Sequence, residues 1–109
     1  MGTSKSENFS PEVNEMAQLF KALGHPARVA ILEHLLEVNQ CICGDLVAVT
    51  ELAQPTVSQH LKELKAVGLI KGTIEGTSVC YCINEESIRR INNYFGPLLG
   101  RLTARSSCC

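Results

Sequence analysis

QPTVSQHLKELKAVG, residues Gln54 to Gly68, carries the most specific pattern in the chain. Its apolar positions Val57, Leu61, Leu64 and Val67 follow one another at offsets of four, three and three, the spacing of a single helical face. That face belongs in a core. Pro55 suits the first helical position, where a missing N–H costs nothing, and Gly68 suits the left-handed residue that closes a helix. The outward side holds Thr56, Ser58, Gln59, Lys62 and Lys65, with no acid before Glu63. Gln and Ser pair with base edges and Lys neutralises phosphates. Taken alone, such a face also suits an ordinary solvated helix, so its neighbours decide.

Downstream, Leu69 to Ile74 reads as a short strand, Glu75-Gly76-Thr77 as a turn, and Ser78 to Asn84 as a returning strand with Val79, Tyr81 and Ile83 facing inward. A helix followed at once by a hairpin is the pattern of a winged helix-turn-helix. Upstream, Ser10 caps a helix that Pro11 opens, with Val13, Met16, Phe20 and Leu23 on its buried side. Gly24 closes it. His25-Pro26 opens a second helix with Val29, Leu32, Leu35 and Leu36 inward, and a third runs around Gly44 to Val49 before a turn near Thr50 to Ala53. The last helix begins near Glu85 and carries the stripe Ile88, Ile91, Phe95, Leu98 and Leu102. Little chain remains to cover that stripe, which asks for a partner. Gly96-Pro97 is expected to kink this helix or end it early. The expected fold is mainly α with a small β-hairpin, one domain over residues 1–109 with a loose arm at 1–9 and a tail at 103–109.

HPARVAILEHLL, CICGDLV, QPTVSQHLKELKAVGLI and the wing ending YCIN, in that order and spacing, resemble the ArsR/SmtB family of winged-helix metalloregulatory repressors, most of all its arsenic-responsive members. The resemblance spans about residues 10 to 102. It implies a homodimer built through the first and last helices, which sits on double-stranded operator DNA until an inducer binds. Thr56, Ser58, Gln59, His60 and Lys62 are the expected DNA contacts, with Lys71 and Thr77 on the wing; a packing role is the alternative for His60. Glu75 near the wing tip opposes phosphate contact.

Six cysteines in 109 residues raise the question of compartment. No stretch is long or apolar enough to span a bilayer, and no charged-then-apolar start resembles a signal peptide. A cytoplasmic protein is expected, where such cysteines point to metal or redox chemistry rather than structural disulfides. The formal net charge of -1 and a pI near 6.3 are unusual for a DNA binder, so any positive field must be local.

Cys41 and Cys43 stand where the family carries its metal or metalloid pair, at the start of the third helix. A helix N-terminus favours thiolate, and thiolates bind soft ions. Residues two apart on an ideal helix point about 200° apart, so both sulfurs reach one ion only if the first turn is extended or unwinds. One or both thiols could instead be small core residues. The third cysteine of arsenic-responsive members is absent from Gly44-Asp45-Leu46-Val47, which tilts the expectation towards organoarsenicals, for which two thiolates suffice; Cys108 and Cys109 are further candidate donors. Cys80 and Cys82 share one face of their strand, open to a second soft-metal site, a redox pair or a lining role. The zinc-binding pattern of the last helix is missing, since no histidine follows His60. A four-thiolate cadmium or lead site lacks the thiols of an N-terminal arm, because residues 1–40 contain no cysteine. No permanently bound cofactor is implied, and the inducer is expected to be a trivalent arsenic or antimony species. A thiol redox or reactive-sulfur switch on the same DNA-binding frame is the first alternative, and a thiol-rich metal buffer is the second. No phosphate loop or oxyanion glycine motif accompanies the cysteines, so an enzyme is not expected.

Overall fold

The computed structural model describes residues 8–38, 40–42, 46–75 and 78–104. The elements run α1 (Pro11–Ala22), α2 (Pro26–Val38), α3 (Leu46–Thr50), α4 (Gln54–Ala66), β1 (Ile70–Glu75), β2 (Ser78–Ile83) and α5 (Glu85–Ala104). Each boundary has a local cause. Ser10 Oγ accepts the Val13 N–H at 3.1 Å and Pro11 opens α1. At α2, the Ala27 N–H donates to His25 Nδ1 at 3.0 Å, so His25 acts as the helix-flanking residue expected of it. Thr50 Oγ1 donates to the Leu46 carbonyl and accepts the Leu52 N–H, while Glu51 takes the left-handed conformation, φ 58°, that turns the chain from α3 into α4. Gly68, at φ 84°, closes α4 as its sequence position promised.

One contiguous core joins Met16 and Leu19 of α1, Ile31 and Leu35 of α2, Leu46 of α3, Val57, Leu61 and Leu64 of α4, and Leu69 and Ile70 at the start of the wing. Leu64, Leu69 and Ile31 are fully buried. Truncating such a residue to alanine costs about 2–5 kcal/mol. The buried faces of α1 and α2 differ from the expected ones. Leu19 and Ala22 join Met16 inside, while Val13 and Phe20 stay exposed; on α2 Ala27 and Ile31 join Leu35 inside, while Val29 and Leu36 stay exposed. Both helices are apolar on more than one side, and periodicity cannot choose between two apolar stripes.

β1 and β2 pair antiparallel from Ile70↔Ile83 to Glu75↔Ser78. Their inner face also departs from expectation. Cys80 is fully buried and Val79 is exposed, whereas Tyr81 and Ile83 are half-buried against the core. A further short bridge sets Ile42 opposite Tyr81, with Ile42 N–H donating to the Tyr81 carbonyl at 2.9 Å and Tyr81 N–H to Ile42 at 2.8 Å. The segment ahead of α3 thus lies along β2 as a third, minimal strand.

α5 continues through Gly96 and Pro97 to Ala104, so the helix does not end early there. The proline removes one helical hydrogen bond at a site where Asn93 and Pro97 are both exposed, so water can serve the freed carbonyl. α5 meets α1 through the edge-to-face pair Phe20–Phe95, centroids 5.0 Å apart, and through an Arg90–Glu15 ion pair.

Candidate nucleic-acid interface and cysteine cluster

α4 turns Val57, His60, Leu61 and Leu64 into the domain and leaves Thr56, Ser58, Gln59, Lys62 and Lys65 on its outer side. The amides there are already engaged within the helix: Gln54 Nε2 donates to Ser58 Oγ at 3.2 Å and Gln59 Nε2 to Glu63 Oε2 at 3.1 Å. Both pairs are exposed, so exchanging them for partners on DNA costs little. Lys71 is exposed on β1. Thr77 lies outside the described residues.

His60 is a correction. Its side chain is only 7% exposed, and its Nδ1 accepts the Arg28 Nε–H at 3.0 Å. It belongs to the packing between α2 and α4, with the His25 ring 4.4 Å away, and does not join the outer face. Burial first, then the neighbouring His25 and Arg28 charges, lowers its pKa below the usual 6.5. Arg28 also donates to the Ala22 carbonyl at the end of α1. Sequence reasoning overlooked Arg28 because its two partners lie on other helices.

Cys41 corrects a second expectation. It does not stand on a helical turn beside α3; it precedes Ile42 in the extended segment that pairs with β2, and it is disulfide-bonded to Cys82, with the two Cα atoms 4.4 Å apart. This is the spacing of directly opposed residues in a non-hydrogen-bonded antiparallel pair, as follows from Ile42 and Tyr81 exchanging both backbone bonds next door. Cys80 is disulfide-bonded too. Cys43, Cys108 and Cys109, the other expected thiol donors, lie outside the described residues. Among the described residues no group of three or more His, Cys, Asp or Glu side chains is arranged to hold a metal ion. The Cys82 link was missed, although both cysteine pairs share a spacing of two, the period of a strand rather than of a helix.

The Cys41–Cys82 pair lies on the wall of an open cleft of about 730 Å³, together with Leu35, Leu36, Lys71 and Arg89. Among the described residues no helix is long and apolar enough to cross a membrane.

Two short helices, the second bearing amides and cations outward, followed at once by a two-stranded wing, define the winged helix-turn-helix class. Residues 25–71 match the model of the bacterial regulatory protein arsR family. The chain is 38% identical over 76 residues to an uncharacterized HTH-type transcriptional regulator, MJ1325, of Methanocaldococcus jannaschii, covering 69% of this chain and 84% of that protein. It is 39% identical over 74 residues to the HTH-type transcriptional repressor SmtB of Mycobacterium tuberculosis, covering 68% of this chain and 54% of SmtB, so the match spans about half of that relative's length. The solution structure of the homodimeric winged helix-turn-helix DNA-binding domain of Mb0332 from Mycobacterium bovis superposes with a TM-score of 0.64 at 22% identity, over 100% of this chain and 97% of that one. This chain belongs to the arsR family of bacterial regulatory proteins, a family of transcriptional regulators rather than enzymes.

Proposed function

We propose that the protein is a homodimeric, cytoplasmic transcriptional repressor that holds operator DNA through α4 and the wing and releases it when cysteine thiolates take up a trivalent arsenic or antimony species, whether arsenite, an organoarsenical or antimonite. The observation that carries this reading is the position of Cys41, in the segment that leads into α3 and pairs with β2 of the wing, one residue from the Ile42–Tyr81 bridge. A ligand on that sulfur acts on the joint between the two parts that touch DNA. Thr56, Ser58, Gln59 and Lys62 supply the groove and phosphate contacts in this reading, and Lys71 and Thr77 the wing contacts.

Dimerisation is supported by shape. The radius of gyration is 16.5 Å, against about 13 Å for a compact chain of this length. Leu99 and Leu102 of α5 and Val13 and Phe20 of α1 remain exposed, a stripe suited to a second copy.

The Cys41–Cys82 bond favours a second reading, in which oxidation of this pair is itself the signal. Anisotropy of labelled promoter DNA, measured anaerobically with reduced protein, separates the two. Release by arsenite or methylarsenite, abolished in Cys41→Ser, supports the metalloid reading. Release by a disulfide-forming oxidant alone supports the redox one, and indifference to both would sink the proposal of a thiol-controlled repressor.

A further inference from the structure

We propose that the second thiolate of the inducer site is Cys82 of the wing, so that a monosubstituted trivalent arsenical bridges Cys41 and Cys82 within one subunit and clamps the wing to the segment before α3. This rests on the repressor reading above and names the ligand pair that reading leaves open. The ladder sets the two residues directly opposite each other, with Cα atoms 4.4 Å apart and their sulfurs close enough to bond. A pair preset in this way chelates without unwinding any helix, unlike two cysteines on successive positions of a helical turn.

The surroundings suit such a ligand. Cys41 is exposed and Cys82 half-buried, and the pair opens on the cleft where the exposed Leu36 offers apolar surface for the carbon substituent. Lys71 lines the same cleft, as do Glu86 and the ion pair Arg89–Glu85, 3.5 Å apart. Lys71 is also the ladder partner of Cys82, so a ligand on Cys82 acts directly beside a wing cation.

The chemistry balances. Two equivalents of a monothiol reduce the Cys41–Cys82 disulfide, giving two protein thiols and one small-molecule disulfide. Methylarsenite, CH3As(OH)2, then condenses with the two thiols to form two As–S bonds, releasing two waters with no change in arsenic oxidation state. The arsenic between the sulfurs holds them farther apart than a direct S–S bond, so the oxidised and arsenical-bound wings differ in position.

The test uses the full chain, reduced with a phosphine, desalted and titrated anaerobically with methylarsenite. Alkylation followed by peptide mass mapping identifies the protected thiols, and operator anisotropy runs alongside. We expect Cys41 and Cys82 to be protected together, and Cys82→Ser to weaken methylarsenite by roughly 100-fold as chelation is lost, with ligand-free operator binding as the check that the variant folds. A Cys108→Ser/Cys109→Ser protein is expected to keep wild-type affinity. Protection of Cys41 and Cys43 with Cys82 fully alkylated at saturation would overturn the assignment, and does so in the wild type even if Cys82→Ser does not fold. Loss of binding on removing the tail cysteines, with Cys82→Ser unaffected, would overturn it as well. Either result leaves the metalloid-responsive repressor standing; a wild-type protein that binds no methylarsenite overturns the assignment, and one that neither arsenite nor antimonite releases from operator either removes the metalloid reading as well.

Discussion

The Arg28–His60 hydrogen bond shows how much can hang on one buried imidazole. Nδ1 accepts from Arg28 Nε, so it carries no proton, and a second proton on the ring would break the bond and place a cation beside another. The folded-state pKa lies below the 6.5 of the unfolded chain. Below that value the unfolded chain binds more protons, so the contribution is fully present above pH 6.5 and is lost as pH falls towards the folded pKa. Chemical denaturation across this range should show wild-type stability falling with pH, and His60→Gln should lose that part of the slope. A null difference between the two slopes would mean that His60 is not neutral in the fold. Gly68 is the other residue with a single-atom consequence. Its carbonyl accepts from Asn84 Nδ2 at 2.7 Å and Ser87 Oγ at 2.6 Å, fastening the end of α4 to the start of α5. An added Cβ would meet nothing closer than 3.7 Å. The cost of Gly68→Ala is therefore backbone strain at φ 84°, about 1–2 kcal/mol by denaturant titration; a loss well beyond this would mean the carbonyl contacts break too.

Among the elements, α4 and the wing divide the work of holding DNA in the function proposed here. The exposed Lys62 is placed to neutralise a phosphate, so Lys62→Ala should weaken binding to all sequences alike and lower the slope of log affinity against log salt by about 1. Gln59→Ala should act differently. It should remove about 1–3 kcal/mol of discrimination between the operator and unrelated DNA while leaving the salt slope intact, and equal losses on both DNAs would assign Gln59 to the backbone instead. Lys65 reaches over β1, where its Nζ would stand 3.2 Å from a Cβ at Gly72. That contact joins α4 to the wing and explains why a glycine sits in the middle of β1, where strands otherwise avoid it. The three-stranded arrangement of Ile42 beside β2 extends the wing back towards α3. α4 and the wing are therefore coupled on both sides, and a ligand at Cys41 need not travel far to change the DNA-facing surface.

For the whole molecule, α5 is the decisive feature. Its long amphipathic body outruns the domain that it packs on, and Leu99 and Leu102 are 62% and 68% exposed. The exposed ion pairs Arg89–Glu85 and Arg90–Glu86 lie within α5 and add little to stability. Leu99→Glu should shift the protein to monomers in sedimentation velocity without unfolding it, and weaken operator binding by roughly 100-fold because two half-sites are no longer held by one particle. A Leu99→Glu protein that stays dimeric would move the interface elsewhere. The near-neutral net charge of -1 is compatible with this design, since the cations that face DNA need only be local.

The periodicity of α4, the Ser10 cap, the Pro11 and Pro26 helix starts, the Gly68 stop and the hairpin were legible in the residues. Each is decided by neighbours within about one turn or one strand pair, and such interactions leave their period in the chain. The order of those elements was enough to define a winged helix-turn-helix, and the motifs they carry resembled those of its family. The inner faces of α1, α2 and β2, the retreat of His60 into the domain and the partner of Cys41 were not legible. Each depends on which surfaces meet after the chain has folded back: two apolar stripes on one helix are equivalent until a neighbour covers one of them. Cys41 and Cys82, 41 residues apart, become opposite only when the segment before α3 takes its register on β2. A strand's own pattern fixes which of its faces is buried and so limits its register, but it does not say which distant strand it will meet.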